Sequence, residues 1–371
     1  MLTDCEVPLR TDKSFREKED PRHHKGDSPL TILPKDLVKC VTLDYMHLIC
    51  LGVVKKLINL WMEGKRSYRI SVTQSDVITS RIMSFCPSLG CDFARKLRGL
   101  NDIGRWKATE CRNFLLYAGP IVLKCVLRED LYNNFLCLHV ALRILCCHKT
   151  AVAQNEYAEK LLLYFVEDFI RIYGKENATH NIHGLIHLAQ DCKNYGSADI
   201  IGAYRYENKL GNMKKLIRKP NLLLPQVHRR IEEMIMHPPA PKKKRSQILR
   251  SGPLVHAPLG VKLPQFRNLV FDNFEIKTSQ GNNYCMLHDG SIVEVMNIAT
   301  AADGKQVITG KRFMSMSDFY THPCPSSNLK IYRLFGKSDL TCWSVDKVAC
   351  KCVVTAIDDY FVSIPVLHSL Q

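Results

Sequence analysis

The sequence predicts an α+β protein: a mainly α-helical region followed by a small β-rich C-terminal domain. Two observations carry this. Apolar residues recur at helical spacing through most of residues 36–236, and beyond residue 257 the pattern changes to short alternating runs bounded by turn residues. Between them, residues 237–257 read as a basic, proline-rich linker. Pro238-Pro239-Ala240-Pro241 forbids a helix, and Lys242-Lys243-Lys244-Arg245 repel one another into an extended form. Residues 1–35 lack periodicity and read as an extended arm.

Element by element, Lys39 to Leu43 is a short β-like run. Met46, Ile49, Val53, Leu57 and Trp61 then mark one face of a helix that Gly64 ends. Thr73 to Phe85 reads as a second helix. A third starts near Asn101-Asp102-Ile103 and runs to Tyr117, where Gly119-Pro120 breaks it. Leu131 to Cys147 is apolar on all sides and predicts a buried helix. Asn155 to Tyr173, closed by Gly174, and His180 to Asn194 complete the helical region. Within residues 258–371, the runs 266–287, 291–298, 305–313, 329–335 and 353–364 predict strands of a separate barrel or sandwich.

Composition narrows the function classes. With 46% hydrophobic and 24% charged residues over 371 positions, the chain has material for a sizeable core and is not globally disordered. No apolar stretch is long enough to span a membrane, and the charged N-terminus does not read as a secretory signal. The 16 cysteines contain no CxxC pair, which disfavours zinc fingers and suits reduced thiols in a cytosolic or nuclear protein.

Net charge is +16, and most of the excess lies in one segment: residues 205–250 carry 13 Lys and Arg against three carboxylates. Such a concentration predicts a polyanionic partner, with nucleic acid ahead of an anionic membrane surface. Arg205, Lys209, Lys214, Lys215, Arg218, Lys219, Arg229 and Arg230 are the candidate nucleic-acid contacts. Lys242, Lys243, Lys244 and Arg245 suit a nuclear-import cluster, so the expected location is the nucleus. A solvated helix face and a plain basic linker are the alternatives.

Three groups could carry chemistry. Asp44 and His47 sit three apart at the start of a helix, where Asp44 would also serve as an ordinary N-cap. His180, His183 and His187 offer an i, i+4 pair, with helix packing as the alternative. Glu207 is a single acid among cations, either a metal ligand or a helix ion-pair partner. Arg105-Trp106 opens a helix, with Trp106 expected in the core.

Four segments in order resemble CACTA (En/Spm-type) DNA transposases of animals: residues 43–57 around Asp44-Tyr45-Met46-His47, residues 102–110 around Arg105-Trp106, residues 180–188, and residues 206–215 around Glu207. The resemblance covers about residues 20–235. It implies an RNase H-like core with a helical insertion that holds Arg105-Trp106, and a site where three carboxylates bind two Mg²⁺ ions. It implies that Asp44 and His47 belong to a D-x-x-H element and that Glu207 is the third metal carboxylate. The first two catalytic aspartates of such enzymes lie upstream. Asp4, Asp12, Asp20, Asp27 and Asp36 precede Asp44 here without convincing strands around them. The expectation is therefore a truncated or domesticated transposase fragment that binds DNA and does not cleave it alone. A strand-transfer enzyme completed by other segments, with Mg²⁺, is one alternative; a non-catalytic interaction module is the other. Self-association and a protein docked on the β-domain are the further partners considered.

Overall fold

The computed structural model describes residues 9–21, 24, 26–238 and 247–370. Among them no strand precedes Leu249, and every helix of four or more turns lies before it. The chain is α+β in the order that its hydrophobic spacing predicts.

The helical region comprises α1 (Asp12–Arg16), α2 (Leu37–Cys40), α3 (a π-helical stretch Met46–Val54 continuing as Lys55–Glu63), α4 (Val72–Phe85), α5 (Ala108–Asn113), α6 (Gly119–Val122), α7 (Glu129–Cys146), α8 (His148–Ala153), α9 (Asn155–Tyr173), α10 (His180–Tyr195), α11 (Ala198–Ile201), α12 (Tyr204–Lys214) and α13 (Leu223–Met236). Helix α7 is the centre of the bundle. Its residues from Asn134 through Cys146 are all buried, the polar Asn134, His139 and Arg143 together with the apolar majority that drives the burial. Helices α3, α9 and α10 turn one apolar face each toward the same core.

Three local readings differ from the sequence expectation. The N-terminal arm is not extended throughout: Asp12 accepts the Leu37 N–H, and Arg16 donates to the carbonyls of Thr31, Leu33 and Lys35, folding the arm on itself. The run from Lys39 to Leu43 forms no strand, because Asp36 caps a helical turn by accepting the N–H groups of Val38 and Lys39. Gly119-Pro120 does not break the third helix. The chain passes from α5 through a π-helical turn, Phe114–Ala118, into α6. Pro120 has no N–H to give to the preceding turn. The carbonyls left over are taken from outside: His139 Nδ1 donates to Leu115 O at 2.7 Å, and Arg143 reaches Leu116 O at 3.4 Å. Burial keeps His139 neutral by pushing its pKa down to about 3.

The C-terminal strands are β1 (Leu249–Arg250), β2 (Val261–Phe266), β3 (Asn268–Val270), β4 (Glu275–Lys277), β5 (Tyr284–Leu287), β6 (Ile292–Ala301), β7 (Gln306–Asp318), β8 (Tyr332–Lys337), β9 (Thr341–Ser344), β10 (Val348–Ile357) and β11 (Tyr360–Pro365). All pairings are antiparallel. Because β7 pairs with both β6 and β8, the order β6-β5-β10-β11-β8-β7 closes into a six-stranded barrel. The run 353–364 is two strands, reversed at Asp358, whose φ of +47° makes the turn.

The barrel does not stand apart from the helices. Side chains alternate along β10: Cys350, Cys352 and Val354 fill the barrel, while Val353 points the other way into the helical core with Val362, Ile364 and Leu367. Polar ties cross the same boundary. Arg143 donates to Pro365 O at 3.1 Å, and the Leu367 N–H donates to the Tyr117 hydroxyl at 3.2 Å. Lys351, fully buried, gives its ammonium to Asp92, to Glu275 O and to Asn282 Oδ1, while His368 meets the other oxygen of Asp92 at 3.2 Å.

Burial alone would raise the Asp92 pKa, but the bonds from His368 and Lys351 outweigh it and hold it at about 2. This contribution is fully present above the unfolded carboxylate value of about 3.9 and is lost as pH falls from there through about 2. Asp92→Asn should leave the Lys351 charge unpaired and cost about 3–5 kcal/mol in denaturant unfolding at neutral pH. The gap from wild type should narrow as the pH is lowered toward 2. A loss below about 1 kcal/mol would mean that this pair does not hold the two parts together.

Candidate nucleic-acid interface and acid–histidine cluster

Asp44 lies just before α3, and both its oxygens are occupied. Oδ1 accepts the N–H groups of Met46 at 2.9 Å and Ala203 at 2.7 Å; Oδ2 accepts the His47 N–H at 3.3 Å and faces His47 Nδ1. It is thus an N-cap, as one reading of the sequence has it. It is also a tether, because Ala203 is the residue that leads into α12. Burial raises its pKa, but the N–H of Ala203, the His47 ring and the N–H of Met46 together hold it below the usual carboxylate range.

The tether sets the rest of the cluster. Tyr204 packs its ring against Tyr45 and donates its hydroxyl to Ala108 O at 3.2 Å, so the first turn of α12 is fixed on the core. One turn on, Glu207 places Oε1 3.8 Å from His47 Nε2. That distance is an ion-pair approach and too long for a hydrogen bond. Asp44, His47 and Glu207, far apart in sequence, therefore meet on the surface, with His47 between two carboxylates.

The other sequence candidates fall elsewhere. Trp106 is buried and donates Nε1–H to Gly99 O at 3.2 Å. Arg105 is exposed and lies 3.7 Å from Asp102. Glu110, at the end of the same segment, is buried and takes Arg98 on both oxygens. This segment fastens a loop to the core. His183 and His187 meet edge to face with centroids 5.2 Å apart. Among the described residues no group of three or more His, Cys, Asp or Glu is arranged to hold a metal ion.

The donors at Asp44, His47 and Glu207 do not fit Mg²⁺. The ion prefers carboxylate and water oxygens, and two ions need several carboxylates. Here one carboxylate is spent on backbone N–H groups, and the neighbour of the other is an imidazole.

The basic segment is largely exposed. Neither α12 nor α13 buries a residue. Among the described residues Arg205, Lys209, Lys214, Lys215, Arg218 and Lys219 form no ion pair, whereas Arg229 and Arg230 share Glu233 at 3.1 and 2.5 Å. Gln226 shapes the turn between the helices. Its carbonyl accepts the N–H groups of Arg218 and Lys219, and its amide donates to Lys219 O and Asn221 O. The result is a cleft of about 370 Å³ with Arg218, Lys219, Arg229 and Arg230 around it. Lys242 to Arg245, the nuclear-import candidates, lie outside the described residues.

Sequence reasoning missed a second basic feature. Lys55 and Lys56 of α3, with Asn59, the carboxylate Glu63, His180 and Asn181, line a cleft of about 650 Å³ beside the start of α10. The doubled lysine at the end of an apolar run was the available signal; its pairing with residues 180–181 was not readable from spacing.

A family profile described as a domain of unknown function (DUF8592) matches residues 249–366. The match covers the barrel and its flanking strands. No curated protein and no solved structure gives a significant match to the chain. No helix of the described residues is long and apolar enough to cross a membrane.

With Asp44 acting as a tether, Asp44→Ala should cost about 1 kcal/mol and speed amide exchange at Ala203 and along α12. His47→Ala and Glu207→Ala, whose side chains are about half exposed, should leave both unchanged. Equal exchange in all three variants would show that Asp44 does not anchor the arm.

Proposed function

We propose that the chain is a DNA-binding protein derived from a CACTA-type transposase, and that it does not cleave DNA by itself. The observation that carries the reading is the exposed α12–α13 arm, on which six cations stand without an ion pair among the described residues. Unpaired cations on a protruding element are available to phosphates, and their counterions are released on binding. The meeting of Asp44, His47 and Glu207 supports the transposase ancestry, since the resemblance assigns these residues to one site. The second reading, a strand-transfer enzyme, rests on that resemblance alone and requires metal-binding carboxylates from other segments, because the donors of this cluster do not fit Mg²⁺.

Binding of a fluorescent DNA duplex should weaken steeply between low and physiological salt and should not depend on Mg²⁺. Replacing Lys214, Lys215, Arg218 and Lys219 by Gln should flatten the plot of log K against log salt by about 0.9 for each phosphate that is no longer neutralised. Thermal stability should be unchanged, because these side chains touch nothing in the core. An unaltered slope, or no binding at low salt, would remove the nucleic-acid reading. Mg²⁺-dependent nicking that disappears in Glu207→Ala would replace it with the enzymatic one.

A further inference from the structure

Alternation along five barrel strands brings an unusual set of side chains to one end of the barrel. Tyr284 of β5, Phe313 of β7 and Phe361 of β11 converge there, with ring centroids 6.4 Å apart for Tyr284–Phe313 and 5.3 Å for Phe313–Phe361. Glu294 of β6 completes the group. One of its oxygens accepts the Tyr284 hydroxyl at 3.1 Å. The other holds the ammonium of Lys337 at 2.8 Å.

That ammonium lies 4.7 Å from the centroid of Phe361 and 5.4 Å from that of Phe313. These are cation–π distances. Lys337 follows Gly336, whose φ of +55° suits glycine and bends the end of β8. Phe313 is buried, but the Lys337 and Glu294 side chains keep 27% and 23% of their surface exposed, so the group opens to solvent.

We propose that this barrel mouth is a recognition site for an alkylated ammonium group and that Lys337 is its intramolecular occupant. Aromatic faces and a carboxylate are the chemistry that holds methylated ammonium ions. A primary ammonium is kept here by its bond to Glu294. A methylated one gives up hydration more readily and gains its attraction from the rings, so it can displace Lys337, whose head is free to move into water. A methylated lysine side chain and a free choline-type molecule both carry such a head. The site lies outside the basic arm and does not depend on the nucleic-acid reading.

The test uses the full chain and two probes, Nα-acetyl-Nε-trimethyllysine methylamide and choline, in calorimetric titrations. Lys337→Ala should bind trimethyllysine at least about tenfold more tightly than wild type. Lys337→Arg, which keeps a cation in place, should resemble wild type. Phe361→Ala added to Lys337→Ala should abolish binding. A preference of about tenfold for trimethyllysine over choline would assign the site to a lysine side chain; equal binding would assign it to the free head alone.

Near-ultraviolet circular dichroism checks that each variant is folded. If Lys337→Ala is not, the wild-type chain serves: added trimethyllysine should move the Lys337 ε-methylene NMR signals from their ring-shielded position to the solvent value. A folded Lys337→Ala that binds neither probe would overturn the proposal. So would wild-type signals that stay in place at high millimolar probe where the variant does not fold.

Discussion

The strand pair β10–β11 serves two cores at once, and the rest of the molecule is arranged around that fact. A strand presents successive side chains to opposite faces. Here one face fills the barrel with Cys350, Cys352 and Val354, and the other gives Val353, Val362 and Ile364 to the helical bundle. Each of these residues is nearly fully buried on its own side. A barrel whose outer wall is apolar on one side needs a cover, and α7 with its neighbours supplies one. The helical region in turn lacks a second layer unless the barrel provides it.

Closing two cores against one strand pair traps backbone polar groups away from water, and the buried charges follow from this. Arg143 has no carboxylate partner among the described residues. It spans the carbonyl of Leu116, released by Pro120, and that of Pro365 at the end of β11. Burial pulls its pKa below the usual value, the expected cost of a guanidinium held by neutral acceptors. Lys351 plays the matching part on the barrel side, where Glu275 O and Asn282 need a donor and Asp92 supplies the countercharge. In both places a long cationic side chain reaches groups that no local hydrogen bond could satisfy.

This also explains what the sequence showed and what it hid. The helices 46–63, 72–85, 129–146, 155–173 and 180–195 were legible because their apolar spacing reports directly on one buried face. The third helix was legible but its end was not, because Gly119-Pro120 is a strong local breaker and its rescue comes from His139 and Arg143, which belong to a different helix. The β region was readable as strands but read as separate, since alternation identifies two faces without saying what covers the second. At the site, the pairing of Asp44 with His47 could be read from their spacing. The approach of Glu207 could not: it depends on a backbone N–H of Ala203, and that donor leaves no mark in a sequence. Helix α13 shows the converse. Its apolar positions repeat as regularly as those of a core helix, yet Leu224 and Ile235 remain 81% and 70% exposed.

The shared core decides how the two halves can be assigned different tasks. Removing the β region would uncover Val353's neighbours in the bundle, strip Asp92 of Lys351 and His368, and take the Pro365 carbonyl from Arg143, so a truncated chain would report on folding before it reported on binding. Point substitutions avoid this, because the surfaces in question are decoupled from the core in different ways. The basic arm is attached to the bundle by a short run, through the Ala203 N–H and the Tyr204 hydroxyl, and its cations project beyond that attachment. The aromatic group lies at one end of the barrel, formed by strands β5 to β8 and β11, while the contact with the helices is made through the wall of β10 and β11 and through the segment that follows β7, where Phe319, Tyr320, Leu329 and Ile331 enter the helical core. Phe361 is the one residue of the group on a strand that also faces the bundle, but alternation turns it inward, away from Val362. Charge at the arm and charge at the mouth can therefore be altered one at a time, with the buried seam between helices and barrel left intact.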